Sequence, residues 1–86
     1  MEHTHFTKPV LLRLNGSGNF HVSSPWEALL YLNIHWPSDR KAEYRRAKAM
    51  CQSAIDGLVS PDSARAYLID AAERAGVLEQ SWRRSA

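Results

Sequence analysis

The fold is decided by residues 36–58, which read WPSDRKAEYRRAKAMCQSAIDGL. Apolar side chains recur there at the i, i+3, i+4 and i+7 spacing that places residues on one face of an α-helix. They are Ala47, Met50, Cys51, Ala54, Ile55 and Leu58. The spacing therefore predicts a helix over 39–58 with one buried face.

Local signals mark both ends of this helix. Pro37 disfavours helical backbone angles at the residue before it, so the preceding helix should stop there. Ser38 or Asp39 can then accept a hydrogen bond from an N–H group left unpaired at the helix start. Near the other end, Gly57 can adopt the left-handed conformation that terminates many helices.

The first half of the same stretch is strongly basic. Five cations and one carboxylate within residues 40–48 give a local charge of +4, whereas the whole chain carries only +2. The cations could contact the phosphates of a nucleic acid while Tyr44 stacks on a base. Alternatively, the basic residues could bind an acidic protein partner. A solvated helix face has the same pattern, so the alternatives stay open. The candidate binding residues are Arg40, Lys41, Tyr44, Arg45, Arg46 and Lys48.

Length and composition limit the class of protein. The chain has 86 residues, of which 44% are hydrophobic, and this supports one small globular domain over residues 1–86. No apolar run approaches the roughly 20 residues that cross a bilayer, and the first eight residues lack the pattern of a signal peptide. The single cysteine, Cys51, falls within the apolar stripe and is predicted to be a buried core residue. We therefore expect a cytoplasmic protein without a membrane partner.

Residues 9–23 have the pattern of a β-hairpin. Apolar residues alternate with other residues along two short runs, and residues 15–18 between them favour a turn. The alternating residues are Val10, Leu12, Leu14, Phe20 and Val22. Residues 1–7 are predicted to form a flexible leader. Because two strands alone are marginally stable in water, helices or another strand should cover their apolar face.

Two further helices are predicted, over 24–35 and 61–75, so that residues 24–76 hold three helices. Each starts with a Ser-Pro pair, in which serine caps the helix and proline occupies its first turn. The third helix should end at Gly76, and its apolar stripe is alanine-rich. That stripe consists of Ala64, Tyr67, Leu68, Ala71, Ala72 and Ala75.

The C-terminal segment has two interpretations. Residues 77–82 could form a tail or a short strand added to the hairpin, and residues 79–86 are predicted to be mobile. The predicted fold class is therefore α+β: an N-terminal β-hairpin packed on three α-helices. A short C-terminal strand is one of the two possibilities for the end of the chain.

The three tryptophans are predicted to have different roles. Trp26 and Trp36 are expected in the core, whereas Trp82 in the tail is a candidate interface residue. An exposed tryptophan beside Leu30, Tyr31 or Ile34 would instead mark a dimer or partner surface.

No combination of residues indicates catalysis or a cofactor. His3 and His5 have the spacing of two metal ligands on a strand, but the pair lies in the predicted flexible leader. Residues 15–18 contain two glycines but precede a strand, so they are not a phosphate-binding loop. We expect no enzyme activity, no metal site and no cofactor.

Several short motifs occur in an order that resembles domain-of-unknown-function family 982, a family of short bacterial proteins. The motifs are Trp36-Pro37, Tyr44-Arg45-Arg46-Ala47 before Cys51, Ala54-x-x-Gly57, Ser60-Pro61, and Ala71-Ala72-x-x-Ala75-Gly76. The starts of the first strand and first helix are also similar. The resemblance implies a stand-alone bacterial domain without an assigned activity, and it supplies no catalytic residues.

The sequence thus predicts a non-catalytic protein-interaction or regulatory module, with a protein partner or a second copy as its ligand. The alternative is a nucleic-acid-binding accessory protein that uses the basic face of the second helix. Strong salt dependence of binding would distinguish nucleic acid from an apolar protein partner.

Overall fold

The computed structural model describes residues 5–14, 18–36 and 42–79. Its elements, in chain order, are β1 (Val10–Arg13), β2 (Asn19–Val22), α1 (Pro25–Leu30), a π-helical segment (Tyr31–His35), α2 (Ala42–Ile55) and α3 (Pro61–Ala75). The predicted α+β class, a hairpin followed by three helices, is confirmed.

Strands β1 and β2 form an antiparallel hairpin in which Val10 pairs with Val22 and Leu12 pairs with Phe20. Val10, Leu12 and Val22 are fully buried, and Phe20 is half-buried. The alternation along each strand therefore places one face on the core, as predicted. The predicted turn lies partly outside the described residues, since the structure resumes at Gly18 with a positive φ of 88°.

The C-terminal segment joins the hairpin at one point rather than as a full third strand. Leu78 forms an isolated antiparallel bridge with Leu12. Beside it, the Arg13 N–H donates to the Val77 carbonyl at 2.8 Å, and the Glu79 N–H donates to the Leu11 carbonyl at 3.1 Å. This bridge covers the outer edge of β1. Of the tail predicted to be mobile, residues 79–86, Glu79 takes part in this bridge and residues 80–86 lie outside the described residues.

Helix α1 continues directly into the π-helical segment, whereas the sequence predicted one regular helix over 24–35. Ser24 caps α1 by accepting the Glu27 N–H at 3.2 Å, and Pro25 occupies its first turn. The start of the helix is thus confirmed. The chain then changes to π-helix, a form found mostly as short segments in longer helices. This change alters the direction in which the following side chains project around the helix.

Helices α2 and α3 pack against each other along small side chains. The buried residues of α2 are Tyr44, Ala47, Cys51 and Ala54, and those of α3 are Ala64, Leu68, Ala71 and Ala72. Because alanine projects little beyond the backbone, the two helices can approach closely and bury their faces with few large residues. The alanine-rich seam predicted from the sequence is confirmed.

The apolar stripes predicted for α2 and α3 include residues that are not buried. Leu58 is 76% exposed, and Ile55 and Tyr67 are also exposed, although all three were predicted to be buried. Helix α2 ends at Ile55, and Gly57 with a φ of 80° turns the chain away. Leu58 therefore no longer follows the helical periodicity. This part of the prediction is wrong.

Helix α3 begins and ends as its sequence predicts. The Ser60 hydroxyl accepts the Ser63 N–H at 3.1 Å. At the other end Gly76 has a left-handed φ of 76°, and the Val77 N–H donates to the Ala72 carbonyl at 2.9 Å. This termination turns Val77 and Leu78 back towards the hairpin.

The end of the predicted leader is part of the core. Phe6 is only 6% exposed, and its N–H donates to the Ser23 carbonyl at 2.8 Å. The sequence predicted a flexible leader over residues 1–7, and the structure places Phe6 of this leader in the core. A single phenylalanine is enough to anchor a short segment when a hydrophobic site is available beside the hairpin.

Candidate functional site

The basic surface predicted on α2 is only partly available for binding. Arg45, Arg46 and Lys48 are exposed, whereas Arg40 and Lys41 lie outside the described residues. Tyr44 is 3% exposed, and its ring lies 5.5 Å from the Trp36 ring, centroid to centroid. Tyr44 is a core residue and cannot stack on a base, so its predicted binding role is wrong.

The exposed cations of α2 do not form a uniform basic face. Arg46 and Lys48 are two residues apart, which places them roughly 200° apart around a helix. The Lys48 Nζ atom lies 5.9 Å from the centroid of the Tyr44 ring, on the side of α1. Arg46 instead lines a cavity of about 260 Å³ between α2 and α3, with Glu43, Ala66, Tyr67 and Asp70.

On the side of α2 that faces α3, carboxylates lie among the basic residues. Arg74 Nη1 lies 3.8 Å from Glu43 Oε2, and Arg74 Nε donates to Asp70 at 3.2 Å. Asp70 and Arg74 thus form an i, i+4 ion pair on α3. The two carboxylates balance the charges of Arg46 and Arg74, so this side of α2 offers no net positive charge to a polyanion.

The other predicted site residues are placed as follows. Trp82 and His3 lie outside the described residues, and His5 lines a cavity beside α1. Among the residues that the structure describes, no group of three or more His, Cys, Asp or Glu side chains could hold a metal ion. Within the same ranges, no helix combines the length and the apolar character needed to cross a membrane.

An exposed apolar surface lies where the start of α1 meets the end of α2. Trp26 is 63% exposed and borders a cavity of about 250 Å³. We name this area the Trp26 surface, after the residues that line the cavity: His5, Ser24, Pro25, Trp26, Ala54 and Ile55. None of these described lining residues is Lys, Arg, Asp or Glu. The surface can therefore accept an apolar group without burying one of its own permanent charges.

Trp26 was predicted to be buried, and this is wrong. Ala28, Tyr31 and Leu32 form the buried side of α1 and its π-helical extension, and Ala28 points roughly 200° away from Trp26 around the helix. Leu30 and Ile34 lie towards the Trp26 side and are partly or largely exposed. Since both sides of this segment are apolar, its sequence does not determine which side faces the core.

The start of α1 holds Trp26 in a fixed position. Glu27 Oε1 accepts hydrogen bonds from the Ser23 N–H at 2.7 Å and from the Ser23 hydroxyl at 2.9 Å. Together with the Ser24 cap, these bonds form a reciprocal capping arrangement around Pro25 and Trp26. The backbone that carries the exposed indole is therefore well ordered before any partner binds, which lowers the entropic cost of binding.

A cluster of rings lies beneath the π-helical segment. Its members are linked by centroid distances of 5.4 to 6.2 Å, and the Tyr31 hydroxyl donates to the Arg13 carbonyl at 2.6 Å. This aromatic cluster comprises Phe20, Tyr31, His35, Trp36 and Tyr44. It joins the hairpin to α1 and α2, so its function is structural, and the Trp36 prediction of core packing is confirmed.

Cys51 is a core residue, as predicted, and is not a reactive nucleophile. Its side chain is fully buried, and burial raises the pKa of the thiol from 9.0 to about 12. Since the thiolate is the nucleophilic form, almost none of it exists in the folded protein at neutral pH. Burial likewise raises the pKa of Tyr31 to about 12.

These raised pKa values predict that the folded protein loses stability in alkali. Above pH 9.0, the ordinary value of the thiol, the unfolded chain releases protons that the folded chain keeps until about pH 12. The unfolded state then binds fewer protons, so the free energy of unfolding falls as pH rises. Urea unfolding at pH 7, 9 and 10 would measure this effect.

Alkylation provides an independent test. Iodoacetamide should label Cys51 at pH 8 far more slowly in the native protein than in denaturing urea, because the native thiol is neutral and buried. The Cys51→Ala variant should lose less stability between pH 7 and 10 than the parent. Equal labelling rates in the native and denatured protein would contradict the burial of the thiol.

A hairpin with three helices and an edge bridge defines this chain as a small α+β domain. A sequence model of the family described as protein of unknown function (DUF982) matches residues 8–84. Because the match covers nearly the whole chain, the protein belongs to this family. Comparison with curated proteins and with solved structures found no match.

Proposed function

We propose that this protein is a non-catalytic protein-interaction module and that the Trp26 surface is its binding site. The observation that carries the proposal is a tryptophan that is 63% exposed beside an apolar cavity of about 250 Å³. A contiguous exposed apolar area with a polar edge often marks a protein-interaction site. Tryptophan is also enriched among the residues that dominate binding energy at protein interfaces.

The lining of the cavity indicates the chemistry of the partner. Pro25, Ala54 and Ile55 offer apolar contacts, whereas His5 and Ser24 supply the polar edge. A charged group placed there would lose its hydration without an opposite permanent charge to replace it. We infer that the ligand is a segment of a partner protein with a bulky uncharged side chain, which enters the cavity and packs against Trp26.

A photo-cross-linking experiment tests this proposal. A photoreactive phenylalanine analogue at position 56, next to Ile55, should cross-link the partner in the native cell, and mass spectrometry would identify the adduct. Trp26→Ala should abolish that adduct, since loss of a central interface tryptophan costs about 2 kcal/mol or more, a roughly 30-fold loss of affinity. The stability of the domain should change by less than about 1 kcal/mol, because Trp26 lies mostly outside the core.

Two controls make the result specific. The same photoreactive residue at position 70, on α3, should give no adduct that depends on Trp26. Replacing Arg45 and Arg46 together by glutamate should leave the position-56 adduct unchanged. An adduct of unchanged yield in Trp26→Ala would contradict the proposal, and an adduct with the chain itself would identify a second copy as the occupant.

Nucleic-acid binding by the exposed cations of α2 is the alternative function. Its support is the exposure of Arg45, Arg46 and Lys48, and the burial of Tyr44 and the carboxylates near Arg46 weigh against it. We expect no retention on DNA or RNA columns at low salt. Retention that falls steeply with salt and is lost when Arg45 and Arg46 become glutamate would favour the alternative.

A further inference from the structure

Part of the wall of the cavity at the Trp26 surface, His5, belongs to the N-terminal segment of residues 5–8, which we name the N-terminal strap. His5 lines the cavity opposite α2, and the next residue, Phe6, is buried in the core. The Phe6 N–H donates to the Ser23 carbonyl at 2.8 Å. The cavity therefore has its full lining only while the strap is docked.

The other half of the strap is fastened to the start of α3. Asp62 Oδ1 accepts the Thr7 N–H at 2.8 Å, and Asp62 Oδ2 accepts the Thr7 hydroxyl. One turn further on, Arg65 Nε donates to the Lys8 carbonyl at 2.8 Å. Residues of α3 thus hold the strap through the Thr7 side chain and through the backbone of Thr7 and Lys8. We name this set of contacts the Asp62 clasp.

The charge state of Asp62 agrees with this geometry. The hydrogen bonds from the Thr7 hydroxyl and the Thr7 amide, followed by the nearby Arg65 guanidinium, lower the pKa of Asp62. The carboxylate is therefore ionised at neutral pH, and hydrogen bonds to an ionised acceptor are the stronger kind. Both hydrogen bonds are exposed to solvent, so the clasp is a contact that can open and close without unfolding the domain.

We propose that the N-terminal strap is a movable wall of the cavity and that the Asp62 clasp controls how much of the time the cavity is complete. Neither Asp62 nor Arg65 is among the described residues that line the cavity, so a change at the clasp reaches it through the strap. A partner that binds the complete cavity must stabilise the docked strap. By thermodynamic linkage, docking of the strap raises the affinity for the partner by the same factor. The effect of the clasp on partner binding rests on the proposed function. The effect of the clasp on the completeness of the cavity does not, because it requires no partner.

The coupling is measurable in the full chain without a partner. Asp62→Asn should speed amide exchange at Phe6 and Thr7 on the order of five-fold, while the amides of Cys51 and Leu68 in the core remain slow. Xenon dissolved in the sample would probe the cavity, and the xenon-induced shifts of the Ala54 and Ile55 methyl groups should shrink in the same variant.

Two further variants separate the clasp from general effects on α3. Thr7→Val removes the hydroxyl donor and keeps Asp62 at the start of the helix, so it should change exchange and xenon shifts in the same direction as Asp62→Asn. Asp70→Asn changes an equivalent charge on the same helix, where the carboxylate pairs with Arg74, and both readouts should stay at the parent values.

The outcomes are distinct. Faster exchange of the strap together with smaller xenon shifts supports the coupling. Faster exchange with unchanged xenon shifts would show that the strap is not a wall of the cavity, and unchanged exchange would show that the clasp does not hold the strap. Failure to find a cross-linked partner would overturn the proposed function and leave these measurements unaffected.

Discussion

Replacing Tyr31 by alanine is expected to cost the domain a large part of its stability. Tyr31 is the largest of the fully buried side chains, and its ring contacts Phe20, His35 and Trp36. Truncating a buried aromatic residue typically costs about 3–5 kcal/mol, through lost apolar burial and the cavity that remains. A domain of this size has a total of roughly 4–13 kcal/mol, so the variant should lose between about a quarter and all of its stability.

The position of Tyr31 explains why the effect should be so large. Its ring lies where β2, the π-helical segment and the C-terminal end of α1 meet, and its hydroxyl ties this region to the Arg13 carbonyl at 2.6 Å. No neighbouring backbone can collapse into the space without disturbing the hairpin. Equilibrium unfolding in urea, followed by circular dichroism, would measure the loss of free energy.

Tyr31→Phe provides the matched control. It keeps the ring and removes only the hydrogen bond to Arg13, so it should cost about 1 kcal/mol. It should also remove the part of the alkaline destabilisation that comes from the raised pKa of Tyr31. A Tyr31→Ala variant with the urea midpoint of Tyr31→Phe would contradict the central position of the ring.

The second large effect is expected at Leu78. Leu78 is 2% exposed and forms the bridge to Leu12 on the edge of β1. Leu78→Ala should destabilise the domain by about 2–5 kcal/mol, because it opens a space between the hairpin and the C-terminal segment. The flanking hydrogen bonds from the Arg13 N–H to Val77 and from the Glu79 N–H to Leu11 would also weaken, and faster amide exchange at Arg13 and Glu79 would report it.

Leu58 is the natural comparison, since it too follows the glycine that ends a helix. It is 76% exposed, so Leu58→Ala should change the free energy of unfolding by less than about 0.5 kcal/mol. Thermal unfolding of the two variants side by side would measure the difference. Equal melting temperatures for Leu58→Ala and Leu78→Ala would contradict the role of the C-terminal bridge.

The sequence is informative wherever a local interaction sets the structure. The caps at Ser24 and Ser60 and the termination at Gly76 were predicted at the correct residues, because the hydrogen bonds involved join residues close in sequence. The alternation of Val10 and Leu12 predicted the hairpin for the same reason. The buried position of Cys51 followed from the periodicity of α2, which holds within a regular helix.

The candidate site was not predictable in this way. The sequence directed attention to Tyr44 and the cations of α2, and it placed Trp26 in the core. The available signal was that α1 is apolar on both sides, with Trp26, Leu30 and Ile34 on one and Ala28, Tyr31 and Leu32 on the other. Which side is buried depends on where β2 and α2 lie, and no local pattern contains that information.

By itself, the sequence determined the fold class, the starts of α1 and α3, the end of α3, the alanine-rich seam of α2 and α3, and the motif order that matches the family. Tertiary structure alone decided that Trp26 is exposed, that Phe6 anchors the N-terminal strap, and that Leu78 rather than Leu58 joins the core. The physical reason is the range of the interactions. Caps and periodicity act over a few residues, whereas burial depends on contacts between segments as distant as Thr7 and Asp62 or Leu12 and Leu78.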